Sequence, residues 1–580
     1  YLYDESGKLA VYNDLVNEYT EYYEYYGSGN LVKITNSEED IIKYKYDGSG
    51  NLSKIRYDIS GTDSYSNYYY QSELSNNLYY LTSFNNGGDN IQKQYVYEQN
   101  AINRLDSILY TNNSSNLMLL EIEYEDNTRR LNEFTYSIAG TDSIEINYIY
   151  QYDSIGNITN ETYIKDSLND LEDVHISKTY IYDDMNQLVQ EHSRDFQYTA
   201  SSTSADTNYT KYYHYDINGN MIAINTFGYG LSEEVEPEIP SFSLLNRGRY
   251  SAEMVYNGTY DYQDIYDLQV GQSPNINFTF YDHWDTNHQW PLNLTVTKLI
   301  DNLDTSNEGY YYNYYKATDG FNYDVRFRIV FKVGTPPPEL REGGNYISYS
   351  YNNAWLDQLD DYTIDNDTSN ITYDESGNPI NITNFKYEGT LYNHAELEWE
   401  GRKLVNIKVY NSSDNALVSS EIWYTYNDQG LRIQKVIEDS SGIIKYDYKL
   451  SGDLVILEIV REYNDSTQIY DKVYKMLYSY DYDGTPIGFT YIDDLETTDY
   501  IYVKNLMGDI THITDLNGNI VVEYSYDAYG NITQVQGEKA STIGKFNSLR
   551  YRSYMYDEET AFYYLQSRYY NPEIGRFINA

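Results

Sequence analysis

Residues 41–59 read IIKYKYDGSGNLSKIRYDI. Before the centre, Ile42, Tyr44 and Tyr46 alternate with Lys43 and Lys45, which sets Tyr on one face of a strand and charge on the other. Asp47 is placed to accept backbone N–H groups two residues on, and Gly50-Asn51 tolerates the positive φ of a tight reversal. A second alternating stretch follows. The unit is a β-hairpin.

The phrase returns along the chain: YDESGKL from Tyr3, YYGSGNL from Tyr25, YDSIGNI from Tyr152, YDDMNQL from Tyr182, YDINGNM from Tyr215, YDESGNP from Tyr373, YNDQGLR from Tyr426 and YDAYGNI from Tyr526. Tyr3, Tyr25 and Tyr46 lie 22 and 21 residues apart, a spacing typical of stacked repeats, and later copies are spaced more loosely. An isolated hairpin is marginal in water, so neighbouring hairpins must join edge to edge. Twist then coils the strip, and coiling on itself would hide its edges. The expected fold class is all-β, a spiral of hairpins.

Composition agrees. The 580 residues carry 40 Lys+Arg against 89 Asp+Glu, a formal charge of −49, with a mean hydropathy of −0.69. That balance marks disorder when aromatic residues are scarce, but Tyr occurs 77 times and favours half-buried strands. There is no Cys, which excludes disulfides, thiolate catalysis and Cys-ligated zinc. No apolar run reaches the roughly 18 residues of a membrane-spanning helix. So acidic a surface repels the phosphates of nucleic acid and of anionic lipid.

Residues 232–339 break the pattern. Seven of the ten prolines fall there, with EEVEPEIP on the way in and GTPPPE on the way out, and the hairpin phrase is absent. Between them NINFTFYD, WPLNLTVTKL and DVRFRIVFKV read as strands with Phe and Val as core residues. An inserted β-sandwich is expected, flanked by spiral segments 1–231 and 340–546.

The chain closes on NSLRYRSYMYDEETAFYYLQSRYYNPEIGRFINA, residues 547–580. This string, with the hairpin phrase, resembles the Rhs/YD-repeat family of bacterial polymorphic-toxin proteins, in which it corresponds to the module that closes the repeat region. The resemblance implies a hollow β-spiral shell that encloses a C-terminal toxin domain, with the chain ending at the boundary between container and cargo. It implies secretion or display at the cell surface, in interbacterial competition or host-directed toxicity. The insertion resembles the immunoglobulin-like insertions of some Gram-positive members.

Several members of the family cut themselves after this module, using two aspartates in a string of the type Arg-Tyr-Tyr-Asp-Pro-x-x-Gly-Arg-Phe-x-x-x-Asp, supported by the Arg. Arg568, Tyr569, Tyr570, Pro572, Gly575, Arg576 and Phe577 match. Asn571 occupies the first acid position, and the second falls past Ala580. An amide is no general base, so the chain is expected to be non-enzymatic.

Other chemistry is sparse. His283 and His288, five apart with Asp282 and Asp285 nearby, would need further ligands to hold a metal, and a polar loop is the simpler reading. DYDGT at 481–485 and DLNGN at 515–519 lack the spacing of calcium loops and read as capped turns. No cofactor is expected. The expected partner is the shell's own C-terminal cargo; the alternative is an adhesin or wall-associated scaffold whose Tyr faces bind glycans.

Overall fold

A computed structural model describes residues 1–228, the strands between residues 250 and 333, and residues 346–579, less short stretches between strands of which 196–208 is the longest. The quoted hairpin forms as read. Strands Ile41–Tyr46 and Leu52–Ile59 pair antiparallel, with a bulge at Tyr46. Asp47 Oδ1 accepts from the backbone N–H groups of Ser49 and Asn51 at 2.9 and 2.8 Å, and Gly50 takes φ +89°. The Gly50 N–H also donates to the Asp47 carbonyl, which makes a tight turn closed by a left-handed bulge residue. The same backbone bonds recur at Asp4, Asp153, Asp183, Asp216, Asp374 and Asp527, and with Asn as the acceptor at Asn427 and Asn505.

The Tyr that opens each phrase has a second task beyond ring packing. Tyr46 donates its hydroxyl to the Leu31 carbonyl at 3.0 Å, just past the preceding turn. Tyr124, Tyr152, Tyr215, Tyr373, Tyr426, Tyr480 and Tyr526 do the same to Leu105, Leu131, Leu188, Leu359, Leu404, Val455 and Ile510. Each ring therefore spans two hairpins and ties successive turns together along one margin.

Thirty-four strands form one antiparallel strip in which each strand pairs with its successors and predecessors along the chain. Pairing continues across the insertion: Met221–Gly228 pairs with Tyr346–Tyr351 through Ala223↔Ser348, Ile224↔Ile347 and Asn225↔Tyr346. Between those strands, residues 250–333 form two four-stranded sheets. One is antiparallel and holds Tyr250–Tyr256 and Ile276–Asp282; the other holds Asp324–Val333, with Ile265–Leu268 parallel to it. The expected Phe and Val core of this segment lies outside the described side chains.

The strip winds as a spiral, and the order of its long-range contacts decides this. Tyr44 meets Ser451, Lys93 meets Asp481, Tyr136 meets the Lys504 carbonyl, Tyr148 meets Thr511, Lys165 meets Glu523 and Lys211 meets Asp527. Both members advance together along the chain. A ribbon folded back on itself would give the opposite order. The later lap contributes mainly its turns, seated on the tyrosine face of the earlier one.

The laps also tighten. From the strand of Tyr44 to that of Ser451 there are 22 strand-to-strand steps, and from the strand of Lys211 to the strand before Asp527 there are 16. At about 4.8 Å per step these are roughly 106 and 77 Å of strip per lap, or diameters of about 34 and 24 Å at the backbone. The spiral therefore tapers, from a wide outer lap to a narrower inner one.

Coiling does not hide the strip's ends, contrary to expectation. Among the described residues Leu2–Tyr3 and Ile532–Gln536 each have a single strand neighbour, so the sheet is open and forms no closed barrel. The twist that winds the laps offsets them, and the two end strands never meet.

Candidate functional site

The closing module folds as a four-stranded antiparallel sheet of Met555–Asp557, Phe562–Leu565, Arg568–Asn571 and Arg576–Phe577. It touches the inner lap almost from end to end. Tyr349 donates to the Ile574 carbonyl, Ser548 to Glu458, Tyr502 to Asn547, and Tyr524 to the Gly544 carbonyl just ahead of the module. Between the strands of Tyr349 and Tyr524 lie 14 steps. Laid flat these would span about 67 Å. A unit of 34 residues measures only about 20 Å across. The inner lap is therefore curled around the module, at the narrower part of the spiral.

Two points fasten it. At the first, Arg432 makes a two-pronged bond to Asp557 at 2.6 and 2.9 Å, and Lys435 donates to both Asp557 and Glu559 at 2.9 Å. The Arg432 guanidinium also lies over the Tyr564 ring at 4.4 Å. All four charged side chains are buried. At the second, the turn 527–530 joins three parts of the chain. Its carbonyls at Ala528, Tyr529 and Gly530 accept hydroxyls from Tyr551, Tyr570 and Tyr563 of the module, at 3.0, 2.8 and 3.1 Å. From the outer lap, Lys211 reaches Asp527, and Glu191 accepts the Ala528 N–H at 3.0 Å. Gly530 is required twice over: its φ is +84°, and a Cβ there would stand 2.4 Å from the Tyr551 ring.

The residues singled out for cleavage are less concentrated. Arg568 is exposed, with its guanidinium 3.8 Å from the centre of the Phe577 ring. Asn571 is buried, and its amide oxygen accepts the Glu573 N–H at 3.0 Å, a turn-capping role. Arg576 donates to the Tyr351 hydroxyl at 2.6 Å and the Asp357 carbonyl at 3.0 Å, bonding the module to the strip. Arg568, Asn571 and Arg576 line one cavity of about 370 Å³. His283, His288 and Asp285 lie outside the described residues. Among those described, no three His, Cys, Asp or Glu side chains gather as metal ligands. The capped-turn reading holds at 515–519, where Asp515 accepts from Asn517 and Asn519, and at 481–485, where the Gly484 N–H donates to the Asp481 carbonyl, although the capping side chain there is a different one. The Asp481 carboxylate is drawn to Lys93, and Asp483 caps Thr485 in its place.

No family model matches the chain. It is 30% identical over 260 residues to the tRNA3(Ser)-specific nuclease WapA of Bacillus spizizenii, and equally to the tRNA nuclease WapA of Bacillus subtilis strain 168, covering 42% of this chain and 10% of each relative. With the repeated Tyr-Asp turn in place, these relatives support one family. The chain is similar to Rhs/YD-repeat proteins. It spans about a tenth of the length of the curated relatives it matches. Among solved structures, this YD-repeat chain resembles TcdB2-TccC3-TEV at 15% identity and a TM-score of 0.44, covering 100% of this chain and 26% of that one. TcdB2-TccC3 without its hypervariable C-terminal region gives 16% and 0.38, over 100% and 26%. Among the described residues of the YD-repeat strip no helix is long and apolar enough to cross a membrane, a statement about helices alone.

Buried carboxyls in the strip fall into two classes. Burial holds Glu161, Glu191, Glu458 and Asp509 above their ordinary values. Burial also acts to raise Asp481 and Asp557, but Lys93 in one case and Arg432 with Lys435 in the other hold them below. The raised groups favour the fold while protonated. Their contribution is full below the unfolded values, 4.5 for Glu and 3.8 for Asp, and is lost as pH climbs through the folded ones. The lowered pair contributes fully above 3.8 and is lost as pH falls through its folded values. Thermal midpoints measured across pH are therefore expected to peak in mild acid, falling toward pH 8 and falling again below about pH 3.5. A flat profile over that range would contradict the assignment.

Proposed function

We propose that the strip is the wall of a shell that encloses a C-terminal effector and contributes to its delivery outside the producing cell. The observation that carries this reading is the co-directional lap register, with laps that narrow around the module. A tapering spiral wound around a module has an inside, and a chain segment held there cannot meet a target until the wall opens. The relatives supply the class of cargo: they are named as tRNA nucleases, and the matched region is a tenth of their length. The shell itself acts as a container, secreted or displayed at the cell surface. Among the described groups, the strongest charge clusters bond module to strip and are arranged as structural fasteners.

The module's own cleavage chemistry is proposed to be silent in this chain, since Asn571 stands where the family string has an acid and already serves as a turn cap. Intact mass after prolonged incubation checks this. Enclosure is tested by extending the chain past Ala580 with an unstructured segment that carries a protease site. The segment is expected to be cut at least tenfold more slowly than the free peptide. Equal rates would overturn enclosure, and saturable glycan binding alongside them would favour an adhesin.

A further inference from the structure

A cavity of about 330 Å³ lies on the seam between the laps. The outer lap lines it with Glu161, Tyr163, Lys178, Tyr180 and Tyr209, the inner lap with Asp509, His512 and Tyr526, and the module with Arg552. The volume is near the lower end for a small-molecule site, about 300 Å³. Ile158, Val174, Ile176 and Leu188 complete an apolar and aromatic wall.

The charges on this wall balance in number but not by contact: Glu161, Asp509, Glu523 and Asp527 stand against Lys178 and Arg552, with Lys165 and Lys211 as further partners. Glu523 is paired with Lys165 at 2.7 Å, and Asp527 is paired with Lys211. Glu161 and Asp509 have no ion-pair partner among the described residues. Glu161 accepts only the hydroxyls of Tyr150 and Tyr180, both at 3.2 Å, and Asp509 accepts the Asn505 amide at 2.7 Å and the Arg552 backbone N–H at 2.8 Å. Lys178, the nearest cation on the same face, directs its ammonium to the Tyr526 carbonyl at 2.6 Å. Burial holds His512 at about 4, so it is neutral at physiological pH. Arg552 is exposed, with its guanidinium over the Tyr551 ring at 5.3 Å.

We infer that this seam cavity is a binding site for a small organic cation: a primary ammonium on a flat apolar body. The ammonium is taken by the Glu161 and Asp509 carboxylates, and the body lies against the tyrosine rings. Tyrosine faces attract cations, and because Lys178 and Arg552 act on these carboxylates without an ion-pair contact, an entering ammonium supplies the direct contact that both lack. Because its walls come from both laps and the module, an occupant bridges all three. The inference is independent of what the shell encloses.

The raised carboxyls add a signature. A cation competes with their protons, so affinity rises with pH and binding releases protons to the buffer. The probe is 2-phenylethylammonium, titrated by calorimetry into the full chain, with 2-phenylethanol as a neutral comparator of the same shape. Salt at about 0.3 M screens the general field of an acidic protein. One saturable site is expected, at least tenfold tighter for the ammonium than for the alcohol and tighter at pH 8 than at pH 5.5. Glu161→Gln is expected to remove the preference for charge. Asp509→Asn is expected to reduce it and serves where the first variant misfolds. Met507, which lines the rim and is 40% exposed, is a safe place to add bulk, and Met507→Trp is expected to block both probes. Non-saturable binding, equal affinity for the alcohol, or native-like binding by Met507→Trp would each overturn the site.

Discussion

Replacing Asp557 by alanine is expected to destabilise the protein by about 3–5 kcal/mol, the range for breaking a buried ion pair from one side. The carboxylate satisfies two cations at once. Arg432 and Lys435 are both buried, and Glu559 alone is left to face them. Neither cation can turn to water without tearing the module from the strip. A chain of 580 residues unfolds in more than one step, so the quantity to read is the half-life at a fixed elevated temperature together with protease sensitivity near 537–547. Both are expected to change at least tenfold. The double variant Arg432→Met, Asp557→Leu removes the pair and keeps Lys435 with Glu559, and it is expected to recover most of the loss because apolar replacement of a buried pair is close to neutral. A single variant within about 1 kcal/mol of the parent would show that the contact is not a fastener.

The contrast between what could and could not be read from the chain follows from range. The Tyr-Asp-x-x-Gly-Asn turn closes within five residues, and its three bonds need only Asp47, Gly50 and Asn51, so the hairpin and the all-β class are legible. The closing string gave Arg568 and Asn571, and the structure places both at one cavity. It did not reveal Asp557 or Glu559 as anchors, because their partners lie about 125 residues upstream. Tyr46 reads as a packing ring, yet the Leu31 carbonyl it bonds is 15 residues back and carries no side-chain signal. The seam was invisible for the same reason: nothing near Lys93 announces Asp481, 388 residues away. A weaker signal did exist. Lys93, Lys165 and Lys211 each alternate with Tyr on the apolar face of a strand, in QKQYVY, TYIKDS and YTKYYHY, and a lysine on such a face requires a distant acid. Asp481 shows the limit of motif reading, since the phrase around it resembles the other turns while its carboxylate holds the seam.

That seam supplies the second large effect. Asp481→Ala leaves the Lys93 ammonium buried against Tyr95 and Tyr110 with no carboxylate, and a local cost of about 3–5 kcal/mol is expected. Lys93 lies on the wide lap, remote along the strip from the module's anchors, while Asp481 sits on the inner lap between them, so the expected response is opening of the laps and retention of strand pairing. Hydrogen exchange should quicken by at least tenfold in 90–97 and 478–486, with an increased radius by small-angle scattering and unchanged far-ultraviolet dichroism. Lys93→Met, Asp481→Ala should close the seam again, because no buried charge remains. Combining Asp481→Ala with Asp557→Ala then asks whether seam and module anchor act together. Independent fasteners add to within about 0.5 kcal/mol. A wall that opens as one unit gives a double variant little worse than either single, because the first break has already released the second contact. Additivity would place the two closures in separate parts of the shell, and sub-additivity would make the spiral a single cooperative lid.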